Sequence, residues 1–174
     1  MARSLLAQFD DDRVVAYQAY DEQLGAEILA RGSLGGGWRY DRHTRLQTGV
    51  AFTANRYDFG RRPDRTRIVA ISLSRDGFDA LLMAALTAEW DERLYKTKAS
   101  WRLATRFAPV LVEWVGDAPR FVVHGALLRR MATEWVVGLE DVSAVFRALC
   151  GGGPAPEERP YPVPSDVASR LGLS

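Results

Sequence analysis

The sequence predicts an α+β domain: a mixed or antiparallel sheet of about five to six strands with flanking helices. Three observations lead there. A chain of 174 residues suits a single domain with one core. Its 47% hydrophobic and 26% charged residues are ordinary globular values. Its segments run strand, helix, helix, strand, helix, three strands, helix, which is not the strict alternation of a doubly wound fold. The domain is expected to span residues 1–164, with 165–174 as a C-terminal tail.

Arg13 to Tyr20 is β-branched and aromatic between acidic flanks, and reads as a strand. Asp21 is an N-cap candidate for a helix through Arg31 that buries Leu24 and Ile28 and stops at Gly32. Gly32 to Gly37 is a glycine-rich loop. Residues 42–56 read as a helix, because Leu46, Val50 and Thr53 share a face, although Gly49 interrupts it. After a basic loop from Arg61, Arg67 to Leu73 is the clearest strand. Ser74 or Asp76 then caps a helix in which Phe78, Leu81, Leu82, Ala85 and Leu86 recur at helical spacing. Strands Phe107–Val115 and Arg120–Val123 flank a Gly116-Asp117-Ala118-Pro119 hairpin signal. Gly125–Thr133 is a short helix and Glu134–Leu139 a strand. From Asp141 a helix sets Val142, Val145, Phe146 and Leu149 on one stripe and ends at Gly151. The Gly/Pro-rich stretch to Pro164 is expected to wrap the surface, followed by one short helical turn.

Bulk composition excludes several classes. A net charge of +1 gives no global reason to expect nucleic acid or an anionic membrane as partner. One cysteine, Cys150, and two histidines, His43 and His124, leave no basis for a disulfide or a zinc site, and no carboxylate spacing suggests another metal. No signal peptide or ~20-residue apolar run is present. A cytoplasmic protein is expected. Gly35-Gly36-Gly37 and Gly151-Gly152-Gly153 lack the Lys-Ser/Thr of a phosphate loop, and no nucleophile elbow occurs. The arginines at 61, 62, 65 and 67 would either steer an anion or form a solvated loop.

Five segments carry a family resemblance: Ala16-Tyr17-Gln18-Ala19-Tyr20, Ile68-Val69-Ala70-Ile71, Glu134-Trp135-Val136-Val137, Glu140-Asp141-Val142-Ser143 and Glu158-Arg159-Pro160-Tyr161-Pro162. In this order they resemble the bacterial and fungal domain-of-unknown-function family 4291 over about residues 5–164. The middle segment departs most. Arg42, Thr44 and Arg56 match the family pattern, whereas Arg45 and Phe52 stand at its tryptophans, Gln47 at its lysine and Gly49 at its serine. The segment order of that family is in turn similar to the ADP-ribosyltransferase fold.

That second likeness implies a chemistry. Transfer from NAD passes through an oxocarbenium-like ribosyl cation, which a carboxylate at Glu134 would stabilise. One such contact is worth roughly 3 kcal/mol, or a hundredfold in rate. Arg42 and Arg56 would fork onto the pyrophosphate. Gln18 would bond the nicotinamide amide, and Tyr17, Tyr20 or Trp38 would stack on a ring. The acceptor would be a macromolecule or a small molecule. The alternative is a small-molecule-binding or non-redox accessory or cyclase-type protein of a biosynthetic pathway, making no use of NAD. The altered middle segment favours it. A nucleic-acid-associated factor is disfavoured by the near-neutral charge.

Overall fold

The structure, a computed structural model, describes residues 3–174. Two eight-residue strands form its spine, β2 (Arg13–Tyr20) and β4 (Arg67–Ser74), paired antiparallel from Arg13 opposite Ser74 to Tyr20 opposite Arg67. Both are apolar on both faces because both faces are covered. Val14, Ala16, Tyr20, Val69, Ile71 and Leu73 enter the main core, while Val15, Tyr17, Ala19, Ile68 and Ala70 enter a smaller one behind the sheet.

The strand before β2 is β1 (Leu6–Phe9), and β3 (Thr44–Gln47) follows later; they share the second edge of β2. β3 continues into β7 (Ala118–Val123), β6 (Val110–Val115) and the short β5 (Ala85–Thr87), whose pairing with β6 is parallel. On the far side β8 (Val136–Asp141) joins β4, and β9 (Arg159–Pro160) joins β1. Among the described residues the sheet therefore has nine strands, more than the five to six expected, and is mostly antiparallel. The additional strands β1, β3, β5 and β9 have four residues or fewer, too short for a period of two to register.

Helix α1 (Glu22–Arg31) begins and ends as expected: the Asp21 carboxylate accepts the Leu24 N–H at 2.8 Å, and Gly32 closes it at φ 67°. The segment 42–56 is not one helix. It is β3, then α2 (Val50–Arg56) with Gly49 at its N-cap. Helix α3 (Arg75–Ala84) is capped by Ser74, whose hydroxyl accepts from Gly77 N–H at 3.2 Å, and buries Phe78, Leu81 and Leu82. Helix α4 (Lys98–Phe107), absent from the sequence reading, opens with a Thr97–Ser100 capping box.

Helix α5 (Gly125–Arg130) runs on into a wide helical turn, Met131–Trp135, which displaces the expected strand start at Glu134 to Val136. Leu128, Met131, Ala132 and Trp135 keep helical spacing and are all buried, so core packing overrides the β propensity of Glu134-Trp135-Val136-Val137. Helix α6 (Ser143–Cys150) packs Phe146 edge-on against Tyr17, ring centroids 5.3 Å apart. The final helix α7 (Ser165–Leu171) buries Val167 and Leu171 in the main core, so residues 165–174 pack with the rest of the chain. Among the described residues, no helix is long and apolar enough to cross a membrane.

Candidate functional site

β2 and β3 are bridged at one pair, Tyr17 opposite Gln47, and past it Gln18–Tyr20 have no strand on that edge. A cavity of about 1230 Å³ opens at this end of the sheet. Its walls come from the end of β2, the segment 40–45, the end of α2, the loop after it and the β7–α5 junction. It exceeds the ~300–1,000 Å³ usual for small-ligand sites, which leaves room for an extended ligand.

The local backbone brings the basic loop to the mouth. After α2, Asp58 (φ 47°), Phe59 (φ 54°) and Gly60 (φ 78°) are successively left-handed. For the two non-glycines this costs roughly 1–2 kcal/mol each, offset where Phe59 packs on the smaller core. The reversal returns the chain so that Arg62 and Arg65 line the cavity beside Arg42, Arg45 and Arg56. Five arginines thus face two aspartates, Asp21 and Asp41. Asp41 is held by Arg39, whose hydrogen bond pulls its carboxyl below the usual range, and Asp21 is engaged as the α1 cap. Arg62 pairs with Asp64 at 3.0 Å. Among the described residues, Arg42 and Arg56 form no ion pair with a carboxylate, although the Arg42 charge acts on Asp41, and both are exposed. The lining is strongly positive.

Uncharged polar groups are ordered behind that charge. The Trp38 indole N–H donates to the Tyr20 hydroxyl at 3.2 Å, so the Tyr20 hydrogen goes to Gln18 Oε1 at 2.7 Å. The Thr44 hydroxyl also donates to Gln18 Oε1, at 2.8 Å. With that oxygen saturated, the Gln18 NH₂ is the end left to meet a ligand. Burial pushes the Tyr20 phenol far above its ordinary pKa, so it remains a neutral donor. Tyr40 and Tyr57 also line the wall, Tyr40 under the Arg129 guanidinium at 4.8 Å and Tyr57 with its hydroxyl accepting from the Gln47 amide at 2.9 Å.

His43 and His124, one residue beyond the last β3–β7 pair, also line it. Arg45 Nη1 lies 2.6 Å from His43 Nε2; a guanidinium only donates, so that nitrogen accepts. Burial first, then Arg45 and His124, lowers the His43 pKa, which keeps the ring neutral near pH 7.

Of the residues singled out from sequence, Gln18, Tyr20, Arg42 and Arg56 meet in this cavity. Trp38 is buried behind Tyr20, edge-on to Tyr40 at 5.4 Å, and supports the wall without lining it. Tyr17 points to the opposite face of the sheet, where its hydroxyl donates to Gln8 at 3.2 Å. Glu134 is not brought here. It lies on the turn after α5, its carboxylate 2.8 Å from Arg130 Nε, with about half of its side chain exposed. The expectation of an inward carboxylate rested on Glu134 starting a strand, and the helical turn removes that alternation. Tyr40, Arg45, Tyr57, His43 and His124 were not singled out as binding residues. The dense run Trp38-Arg39-Tyr40-Asp41-Arg42-His43-Thr44-Arg45 was the signal for three of them. Arg67, grouped with the loop arginines, instead ties Glu22 to Asp141.

Among the described residues no cluster of His, Cys, Asp or Glu could hold a metal ion. The chemistry available is recognition of negative charge by guanidinium forks, with an amide donor and two tyrosines close by. No curated protein matches the chain. The family model described as "Domain of unknown function (DUF4291)" matches residues 4–151, most of the sequence, and the chain belongs to that family.

Proposed function

We propose that this chain binds a phosphorylated, ring-bearing metabolite of the nucleotide class in the cavity at the β2–β3 opening, with NAD as the leading candidate. The observation that carries this is the presence in one cavity of two arginines outside any ion pair among the described residues, Arg42 and Arg56, and a Gln18 amide oriented to donate. The guanidinium groups would fork onto a pyrophosphate, and Tyr40 or Tyr57 would flank a ring. The Gln18 NH₂ would donate to a carbonyl, such as that of a nicotinamide amide.

An ADP-ribosyltransferase-like fold and activity is the fuller form of this idea, and only its binding half has support. The arginines and Gln18 suit a dinucleotide. The carboxylate that would steady a ribosyl cation has no counterpart in Glu134, which is paired to Arg130 outside the cavity. A binding or accessory protein that holds a nucleotide without cleaving it therefore fits the geometry better than a transferase. Thermal unfolding with NAD, ADP-ribose, ADP and adenosine tests this. A ligand at about a hundred times its dissociation constant adds ~2.7 kcal/mol. Stabilisation by the phosphorylated compounds and not by adenosine supports the proposal; no shift with any of them removes it.

A further inference from the structure

Helix α4 stands apart from the rest of the molecule, because none of its residues is buried. Trp101, Ala104 and Thr105 turn toward the body, and Trp101 meets the Trp90 ring edge-on at 6.1 Å. The outward side carries two stripes. Lys98, Arg102 and Arg106 recur four residues apart and form one; Ala99, Leu103 and Phe107, each one position on, form the neighbouring one. Leu103 is 63% and Phe107 71% exposed, the two most exposed large hydrophobic side chains among the described residues. The Arg106 guanidinium lies over the Phe107 ring at 5.5 Å, charge and apolar surface side by side.

The charge is of one sign. No acidic residue occurs between Glu92 and Glu113, and this stretch holds the only two lysines of the chain, Lys96 and Lys98. The overall net charge of +1 conceals this segregation. We infer that α4 docks side-on to an anionic phospholipid surface: Leu103 and Phe107 enter the headgroup layer, and Lys96, Lys98, Arg102 and Arg106 engage lipid phosphates and carboxylates. Basic and apolar stripes that adjoin and both face solvent suit a planar, negatively charged layer. Two large apolar side chains on a ten-residue helix fall far short of the ~1,200 Å² of buried surface that a stable protein interface needs. At a bilayer, by contrast, clustered positive charge supplements them. The inference is independent of the nucleotide cavity.

Co-sedimentation with vesicles tests it, using phosphatidylcholine alone against equal parts of phosphatidylcholine and phosphatidylserine, at low and high salt. The expected result is binding to the mixed vesicles only, weakened at high salt. Two exposed double variants, Leu103→Ser with Phe107→Ser and Arg102→Gln with Arg106→Gln, should each weaken binding roughly tenfold or more. Their thermal unfolding should match the parent. Arg42→Gln, in the cavity, should bind vesicles normally. No sedimentation with the mixed vesicles overturns the inference, as does equal binding to neutral ones. So does lipid-free self-association that disappears in the Leu103→Ser, Phe107→Ser variant, which would make a second copy the occupant.

Discussion

Tyr20 donates its phenolic hydrogen to Gln18 Oε1 at 2.7 Å, and that bond decides which end of the Gln18 amide faces the cavity. Two residues apart on one face of β2, they lie where β2 loses its neighbouring strand. The direction of the bond is fixed from behind, since Trp38 can only donate to the Tyr20 oxygen.

Tyr20→Phe is expected to leave the Trp38 N–H without its acceptor and to free the Gln18 amide to turn. The cost is about 1–3 kcal/mol of stability, read by urea unfolding, with weaker ligand binding alongside. A variant as stable as the parent, with unchanged affinity, would show that the chain of bonds from Trp38 to Gln18 orders nothing.

Glu134→Gln should change stability by less than about 1 kcal/mol, because the Arg130 pair is solvent-exposed. Nucleotide affinity measured by calorimetry should be unaltered. A marked loss of affinity would return Glu134 to the site and contradict its position on the turn after α5.

Glu158 is half-buried and accepts the Val50 N–H at the start of α2, at 2.8 Å. Burial raises its pKa above the ordinary value, and the Val50 hydrogen bond only partly opposes this. The folded state thus holds the proton more tightly than the unfolded state. The associated stability is fully present below the unfolded glutamate pKa of about 4.3 and is lost as pH rises through the folded value. Glu158→Gln keeps the acceptor without the charge, so at pH 7 it should equal or exceed the parent in stability, the advantage fading in acid. Glu158→Ala loses the acceptor and should cost about 1 kcal/mol. Urea midpoints from pH 4 to 8 check both; equal destabilisation by Gln and Ala at pH 7 would contradict this.

Gly77, in the first turn of α3, has no room for a side chain: a Cβ there would lie 2.5 Å from Trp135 Cβ. Gly77→Ala is expected to cost about 1–3 kcal/mol through overpacking, measured by thermal or urea unfolding. A neutral substitution would mean that Trp135 is free to move.

Much of the fold was legible where a segment is long and its environment uniform. β2, β4, α1, α3 and α6 were read near their observed bounds, because eight to ten residues suffice for a period or an unbroken apolar run to register. The segment 42–56 was read as one helix since Leu46, Val50 and Thr53 share helical spacing, yet Leu46 belongs to a strand held by its β7 partner Phe121. That pairing is a long-range contact that a local window cannot contain. Helix α4 was missed because its apolar residues do not face a core, although Thr97 and Ser100 already marked its start.

The candidate site was legible by residue type and illegible by direction. Arg42, Arg56, Gln18 and Tyr20 converge, but whether they would depended on β3 leaving β2 after Tyr17. Glu134 was assigned a strand alternation that the turn Met131–Trp135 abolishes. His43 and His124 reach the same wall only through the β3–β7 register, which no spacing between positions 43 and 124 encodes.

Calorimetric titration of NAD and ADP-ribose into the parent chain and into Arg42→Gln and Arg56→Gln tests the central claim most directly. A charge-assisted hydrogen bond to phosphate contributes about 1.5–3 kcal/mol, so each variant should bind roughly ten- to a hundredfold more weakly while unfolding like the parent. Parent affinity should also fall as salt is raised. Binding that is indifferent to both arginines and to salt, or absent for every phosphorylated compound, would contradict the assignment of this cavity.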